Sequence, residues 1–453
     1  MTGQEAEFRR KIGEIHDFVQ KSSYLSHEDI KIGGRPYNSH IIFTILTGIN
    51  RGNHIITGNY GQGKTTVCEA ATALIYGFPP QFVEICEIKG HPFQTEEKIF
   101  GRPDLGKLNQ GKEEVIWSNF SLFPGPKIID EINRMPEGAQ NTLLNTVDRG
   151  TIQYLNSILP QKERYPMYAT ANYPDGGNGQ LIPPLLDRFD ICTETSAPIG
   201  LTFAFPSANS LKELLKAPDV YDQMLSSLGN KNYCSSEISR KADSHEMRDL
   251  RESYRQHLEK AGKGKNTAIP YLTDEDLNGM RECLKEISLD NDSPVFLDAF
   301  FSDANSVTKV RDEADMTSHY ENFLVGRLEN NLSSRWINSV LKYSQAVALV
   351  AGDESITTET MVKTLPWTMA HRVMPKSSYT QKVVKDEFFQ GSQKLYSVQS
   401  AVHDFEKDFR ASADKFNGFY HAWTHDSPLD SFEAIDIPGI RALALRKKNE
   451  GRL

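Results

Sequence analysis

The loop Gly58-Asn59-Tyr60-Gly61-Gln62-Gly63-Lys64-Thr65-Thr66 constrains this chain more than any other stretch: it matches G-x-x-x-x-G-K-[ST] and has the neighbours such a loop needs. The apolar run His54-Ile55-Ile56-Thr57 before it reads as a strand, and residues 67–74 after it read as a helix. Glycines let the backbone curl so that N–H groups face phosphate oxygens, and the helix N-terminus adds its positive dipole end. Lys64 can then reach the β- and γ-phosphates of ATP, and Thr65 can offer its hydroxyl to Mg²⁺. The bland alternative is an ordinary glycine turn, and the strand and helix on either side count against it.

A second acidic stretch complements the loop. Ile128-Ile129-Asp130-Glu131 reads as a short apolar strand ending in adjacent carboxylates. Asp130 can hold Mg²⁺, and Glu131 can orient and deprotonate the attacking water. Pro126 and Lys127 stand where a longer apolar run is expected, and an Asp-Glu pair alone is more often a solvated turn. Beside the phosphate loop the catalytic reading prevails. Residues 167–171 read as a strand that delivers Asn172, whose amide can hydrogen-bond the same water.

At 453 residues the chain exceeds what one core usually supports, so two or three domains are expected. It is 38% hydrophobic and 25% charged, without the apolar run of about 20 residues that a membrane span needs. Residues 1–5 show no apolar leader, so a cytoplasmic location is expected. A net charge of −9 counts against binding duplex nucleic acid over a broad surface. The five cysteines (68, 86, 192, 234 and 283) have no C-x-x-C spacing and fit a reducing compartment with no metal site of their own.

Periodicity organises the rest. Residues 4–22 place Phe8, Ile12, Ile15, Phe18 and Val19 on one helical face, and 40–46 read as an apolar helix. Residues 81–88 read as a second strand, giving the β-α-β order of a parallel sheet, and 153–164 read as a hairpin. Between 244 and 262, Met247, Leu250, Tyr254 and Leu258 recur at helical spacing in a charged stretch, which describes an exposed helix. Thr273 reads as the N-cap of a helix from 274 to about 287. Leu395, Val398, Val402, Phe405, Phe409, Phe416, Phe419 and Trp423 keep a three-four spacing that only Ser412 breaks. That describes one long helix whose aromatic stripe either packs on its own protein or docks a partner or neighbouring subunit.

Together, Asp130-Glu131-Ile132-Asn133-Arg134, Ala169-Thr170-Ala171-Asn172 and Leu186-Asp187-Arg188-Phe189 resemble the MoxR family of AAA+ ATPases, relatives of the magnesium-chelatase motor subunits. The likeness continues through Ala204-Phe205-Pro206-Ser207, Leu332-Ser333-Ser334-Arg335, Ala346-Val347-Ala348-Leu349 and His371-Arg372, covering about residues 30–375. It implies an α/β fold: a helical lead-in at 1–30, an AAA+ P-loop core with a parallel sheet at 31–207, an all-α lid at 208–375 with an insertion at about 288–331, and a helical C-terminal extension at 376–453. By the same resemblance Asn172 is the sensor 1 residue and Arg188 an arginine finger aimed at a neighbour's nucleotide. Arg335 is the sensor 2 arginine, with Arg372 the fallback. Ile32 and Gly33 join residues 58–66 as nucleotide-binding residues. A helix-2 insert is implied at about 88–120 and a hairpin before sensor 1 at about 151–167, both facing a ring's central channel. The hairpin tip, near 157–164, mixes apolar and basic groups, and Tyr60 stands where a proline is common in such loops.

The function implied is a homo-oligomeric, hexameric ring that couples ATP hydrolysis to remodelling or maturing a partner complex, with a von Willebrand A-domain protein as docking partner. A metal-chelatase motor remains open. So does a nucleic-acid translocase or restriction-type motor, kept alive by Lys162 and Arg164. A slow nucleotide-gated scaffold is a third alternative.

Overall fold

The computed structural model describes residues 3–23, 25, 27–159, 163–173, 179–195, 211–228, 245–264, 268–305, 323–329, 332–385, 392–425 and 440. Ala204-Phe205-Pro206-Ser207, loop residues 175–178, hairpin residues 160–162 and insertion residues 306–322 lie outside them. The chain divides into two compact units, Met1–Glu286 with Leu349–Gly352, and Ile287–Ala348 with Asp353–Leu453. The division does not coincide with the expected boundary at 207. Helices Leu211–Leu214, Pro218–Leu228, His245–Gly264 and Asp274–Glu286 belong to the first unit. Polar side chains tie them there: Lys212 reaches Glu69 at 2.6 Å, Arg251 Nε donates to the Tyr76 carbonyl at 2.5 Å, and Lys11 pairs with Asp276 at 2.8 Å. The helix His245–Gly264 is charged outside, yet Met247, Tyr254 and Leu258 are buried. Thr273 does cap its helix, accepting from the Asp276 amide at 3.1 Å.

The first unit is built on five parallel strands: β1 (Asn53–Thr57), β2 (Ile88–Lys89), β3 (Lys127–Asp130), β4 (Met167–Ala171) and β5 (Ile191–Glu194), in spatial order β5-β1-β4-β3-β2. Crossover helices cover both faces, so β1 and β4 are buried along nearly their whole length. Ile55, Ile129, Ala169 and Cys192 from the strands join Phe100, Trp117, Met135, Val147, Leu185 and Phe189 in one core. Three helices matter most to the site. These are α1 (Gly3–Lys21), whose expected apolar face is buried, α2 (Ser39–Asn50), capped by Asn38, and α3 (Lys64–Tyr76), which begins at the phosphate loop. Among the described residues, no helix is long and apolar enough to cross a membrane.

Three local expectations are corrected. Residues 81–88 are not a strand: Pro80 opens a helix, Pro80–Glu84, whose Phe82 stacks on Phe78 at 6.0 Å, and only Ile88–Lys89 joins the sheet edge. The hairpin strands are Ile152–Tyr154 and Ser157–Leu159, so the turn is Leu155-Asn156 rather than a tip near 157–164. In the second unit the predicted long helix is two, Gln393–Ala411 and Ala413–Thr424. Ser412, at φ −121°, leaves the helical region, and its carbonyl accepts from Phe416 at 3.2 Å to start the next helix. The aromatic stripe packs on its own unit: Phe405 lies edge-on to Phe296 and Phe300, with ring centres 5.7 and 4.9 Å away.

Lys127, odd in a strand, is buried at 3% exposure. Its Nζ donates to the carbonyls of Phe120 at 2.7 Å and Phe123 at 2.5 Å, closing the short helix Asn119–Leu122. Burial brings its pKa down to about 7.

Candidate active site

The phosphate loop leaves the C-terminal end of β1, inside the sheet, where β1 has β4 on one side and β5 on the other. Ligands of parallel α/β sheets collect at such carboxyl ends. Gly61 and Gly63 take positive φ, 72° and 74°, and Gly63 is the residue from which α3 starts. Tyr60 is 70% exposed at the loop's outer edge. Lys64 is buried and folds back over its own loop. Its Nζ donates to the carbonyls of Gly58 at 2.9 Å and Asn59 at 2.7 Å, and to Asn172 Oδ1 at 2.9 Å. Burial lowers its pKa, while Asp130 and Glu131 pull it back up.

The acids come from the end of β3. Asp130 Oδ1 accepts from Thr65 Oγ1 and from Thr170 Oγ1, both at 2.6 Å. Thr65 and Asp130 thus bring a hydroxyl and a carboxylate together, the hard oxygen donors that Mg²⁺ prefers. These residues would hold the ion, which when bound neutralises charge on phosphate oxygens. Glu131 turns out of the strand at φ 51°, in the left-handed region. Asn172 Nδ2 donates to Glu131 Oε1 at 2.9 Å, and Arg134 Nη1 donates to Oε2 at 2.8 Å. Asn172 therefore touches both Lys64 and Glu131, and the donor on one side with the acceptor on the other fixes its amide orientation. A carboxylate so placed can accept a proton from a water that displaces one of its donors.

Several supporting residues were not assigned a role from sequence. Thr170 accepts from the Glu131 amide at 2.9 Å while donating to Asp130, so one hydroxyl sets the relation between the two acids. Asn133 clasps the Asn172 backbone, donating to its carbonyl at 3.2 Å and accepting from its amide at 3.3 Å. Gly90, one residue past β2, donates to the Asp130 carbonyl at 2.7 Å. A Cβ there would overlap the Glu131 carbonyl oxygen and lie 2.8 Å from its carbon. The motifs DEINR and ATAN contain Thr170 and Asn133, but nothing in the sequence pointed to Gly90.

The other predicted residues each have surroundings of their own. Ile32 and Gly33 belong to a small hairpin, and a Cβ on Gly33 would lie 2.8 Å from the Ala351 carbonyl. Arg188 holds to its own chain: Nη1 donates to the Pro184 carbonyl at 2.7 Å, and Nε lies 3.6 Å from Asp148. Arg335 and Arg372 belong to the second unit, where Arg372 donates to the Thr368 carbonyl at 2.6 Å and to Ser339 Oγ at 3.2 Å. Arg164, expected at a basic hairpin tip, donates to the Val147 carbonyl at 3.0 Å.

Residues 53–189 match the family model of the AAA domain (dynein-related subfamily). No curated protein matches the chain. Among solved structures, a protein of Cytophaga hutchinsonii provisionally described as an ATPase superposes at a TM-score of 0.52 and 13% identity, covering 88% of this chain and 96% of that one. A likeness at that identity carries the fold. The motif, the paired acids and the family match coincide on one span, and the chain carries an AAA ATPase domain over residues 53–189.

Proposed function

We propose that this chain is a MoxR-type motor of the cytoplasm: a homo-oligomeric, hexameric ring that hydrolyses MgATP and spends the energy on remodelling or maturing a partner complex. Lys64 and Thr65 bind phosphate and metal, with residues 58–66, Ile32 and Gly33 around the nucleotide. Asp130 completes the Mg²⁺ site, Glu131 is the general base and Asn172 orients the water. Arg188 acts in trans on a neighbour's nucleotide, and Arg335, or Arg372 in its place, acts as sensor 2. The observation that carries the hydrolytic part is Asn172, bonded to Lys64 on one side and Glu131 on the other.

What supports assembly is the family match, since AAA+ ATPases usually oligomerise. Within the described part of the first unit, Lys64 donates to Asn172 and Arg134 to Glu131. An arginine delivered in trans would add a guanidinium for the transferring phosphoryl. What supports remodelling is exposed apolar surface on the two implied insertions. Leu105 and Leu108 on one, and Leu155 and Ile158 on the other, are 47–69% exposed, and Asn156 Nδ2 donates to Glu113 Oε2 at 3.0 Å between them. The client and a von Willebrand A-domain docking partner follow from the family resemblance alone. In mixing experiments, Arg188→Ala should still bind nucleotide and should depress the turnover of wild-type neighbours. Loss strictly proportional to the fraction of variant would contradict action in trans.

A further inference from the structure

We infer that Thr195 is a positioning residue for nucleotide binding, latching the phosphate loop to the end of the sheet through Gln62. Thr195 is the first residue beyond β5, and its amide donates to the Thr57 carbonyl at 2.8 Å, extending the β1–β5 ladder by one step. Its backbone is thereby tied to the sheet, and the residue is only 5% exposed. From there Thr195 Oγ1 donates to Gln62 Oε1 at 2.8 Å. The Thr57 carbonyl lies 3.3 Å from the same hydroxyl, a longer alternative for its single proton. Gln62 sits between Gly61 and Gly63, both at positive φ, so the tether grips the loop between two glycines.

Gly58 corroborates the latch. A Cβ at that position would overlap Thr195 Oγ1 and lie 2.7 Å from Gln62 Oε1. The first glycine of the motif is therefore favoured twice, by its φ of 150° and by the Thr195–Gln62 pair that fills the space a side chain would take. By contrast, a Cβ on Gly61 or Gly63 would meet nothing within 4 Å.

A loop tethered at its apex offers the phosphates a cradle already in shape, which lowers the ordering cost of binding. Because the cradle serves ground state and transition state alike, its loss should appear in affinity and not in the chemical step. The test uses the full-length chain, with ATP and ADP titrated calorimetrically alongside steady-state turnover. Thr195→Val keeps the β-branched shape and removes the donor. It should raise the dissociation constants for both nucleotides about tenfold, the upper end for one neutral hydrogen bond, while kcat stays within about twofold. Thr195→Ser, which keeps the hydroxyl, should bind nearly as the parent does. Gln62→Leu, altered on the partly exposed loop, should match the affinity loss of Thr195→Val even if the latter folds poorly, and the double variant should bind no worse than either single one. Parental affinity in Gln62→Leu, an equal loss in Thr195→Ser, or a double variant in which the two losses add in full would each overturn the assignment.

Discussion

Gly90 offers the sharpest test of the site, because no motif contains it and its role rests on geometry alone. An alanine there would bring Cβ to 2.8 Å from the Glu131 carbonyl carbon and 3.0 Å from the Asp130 oxygen, with the Glu131 oxygen nearer still. Carbon atoms not bonded to each other settle at about 3.5–4.0 Å, so the backbone at Glu131 must retreat by roughly 1 Å. The neighbours cannot simply bend aside. Gly90 N is bonded to Asp130 O at 2.7 Å, and Glu131 N to Thr170 Oγ1 at 2.9 Å. Misplacing a catalytic group by about 1 Å costs on the order of a hundredfold in rate. Overpacking costs stability as well, about 1–3 kcal/mol. Gly90→Ala should therefore lower kcat about a hundredfold and leave ATP affinity within a few-fold, since Lys64 and the loop do not touch the altered position. The assay is steady-state turnover beside equilibrium ATP binding, on protein shown folded by thermal melting. Parental kcat in a folded Gly90→Ala would refute the argument that the Glu131 backbone is held at this point.

The remaining predictions address other parts of the unit. Lys64→Ala should abolish nucleotide binding, whereas Glu131→Gln should bind ATP and stall, and parental hydrolysis by Glu131→Gln would remove it as general base. Leu155 is 54% exposed and held at φ 51°, in a turn that asparagine fits better. Leu155→Asn should stabilise the fold by about 0.5–1 kcal/mol in chemical denaturation, and an unchanged midpoint would count against strain at the hairpin. Glu87, whose side chain is 3% exposed, has its pKa pushed up to about 7 by burial and then by the charge of Glu69. The folded state then holds a proton that the unfolded state releases between pH 4.5 and 7, so stability falls as pH rises through that window. Glu87→Gln should gain about 3 kcal/mol over the parent at pH 8 and nothing at pH 4, read from urea unfolding at both values.

The parts of the site legible in sequence were those in which adjacent residues do the work. The phosphate loop, Asp130-Glu131 and Asn172 each sit at the end of a short apolar run, and a parallel sheet brings such ends together without further information. Residues that act across strands were harder to read: Gly90, just past β2, bonds the Asp130 carbonyl and lies in no motif, while Thr170, inside ATAN on β4, holds the Glu131 amide in a role no sequence period marks. Residues 81–88 misled because a short apolar run fits helix and strand alike, and Pro80 decided it. The hairpin turn was misplaced because Leu155 carries no turn signal and adopts its left-handed backbone against preference. Ser412 was noticed as a gap in the stripe but not as a helix end, since the aromatic spacing runs on beyond it.

The Asn172 amide has one more consequence. It is a rigid plane with one face of its chemistry turned to an ammonium and the other to a carboxylate. A phosphate that drew Lys64 away would strip the amide oxygen of its proton donor, and a turn of the amide plane would then loosen its hold on Glu131. The cradle and the water-side acid are thus joined through a single side chain.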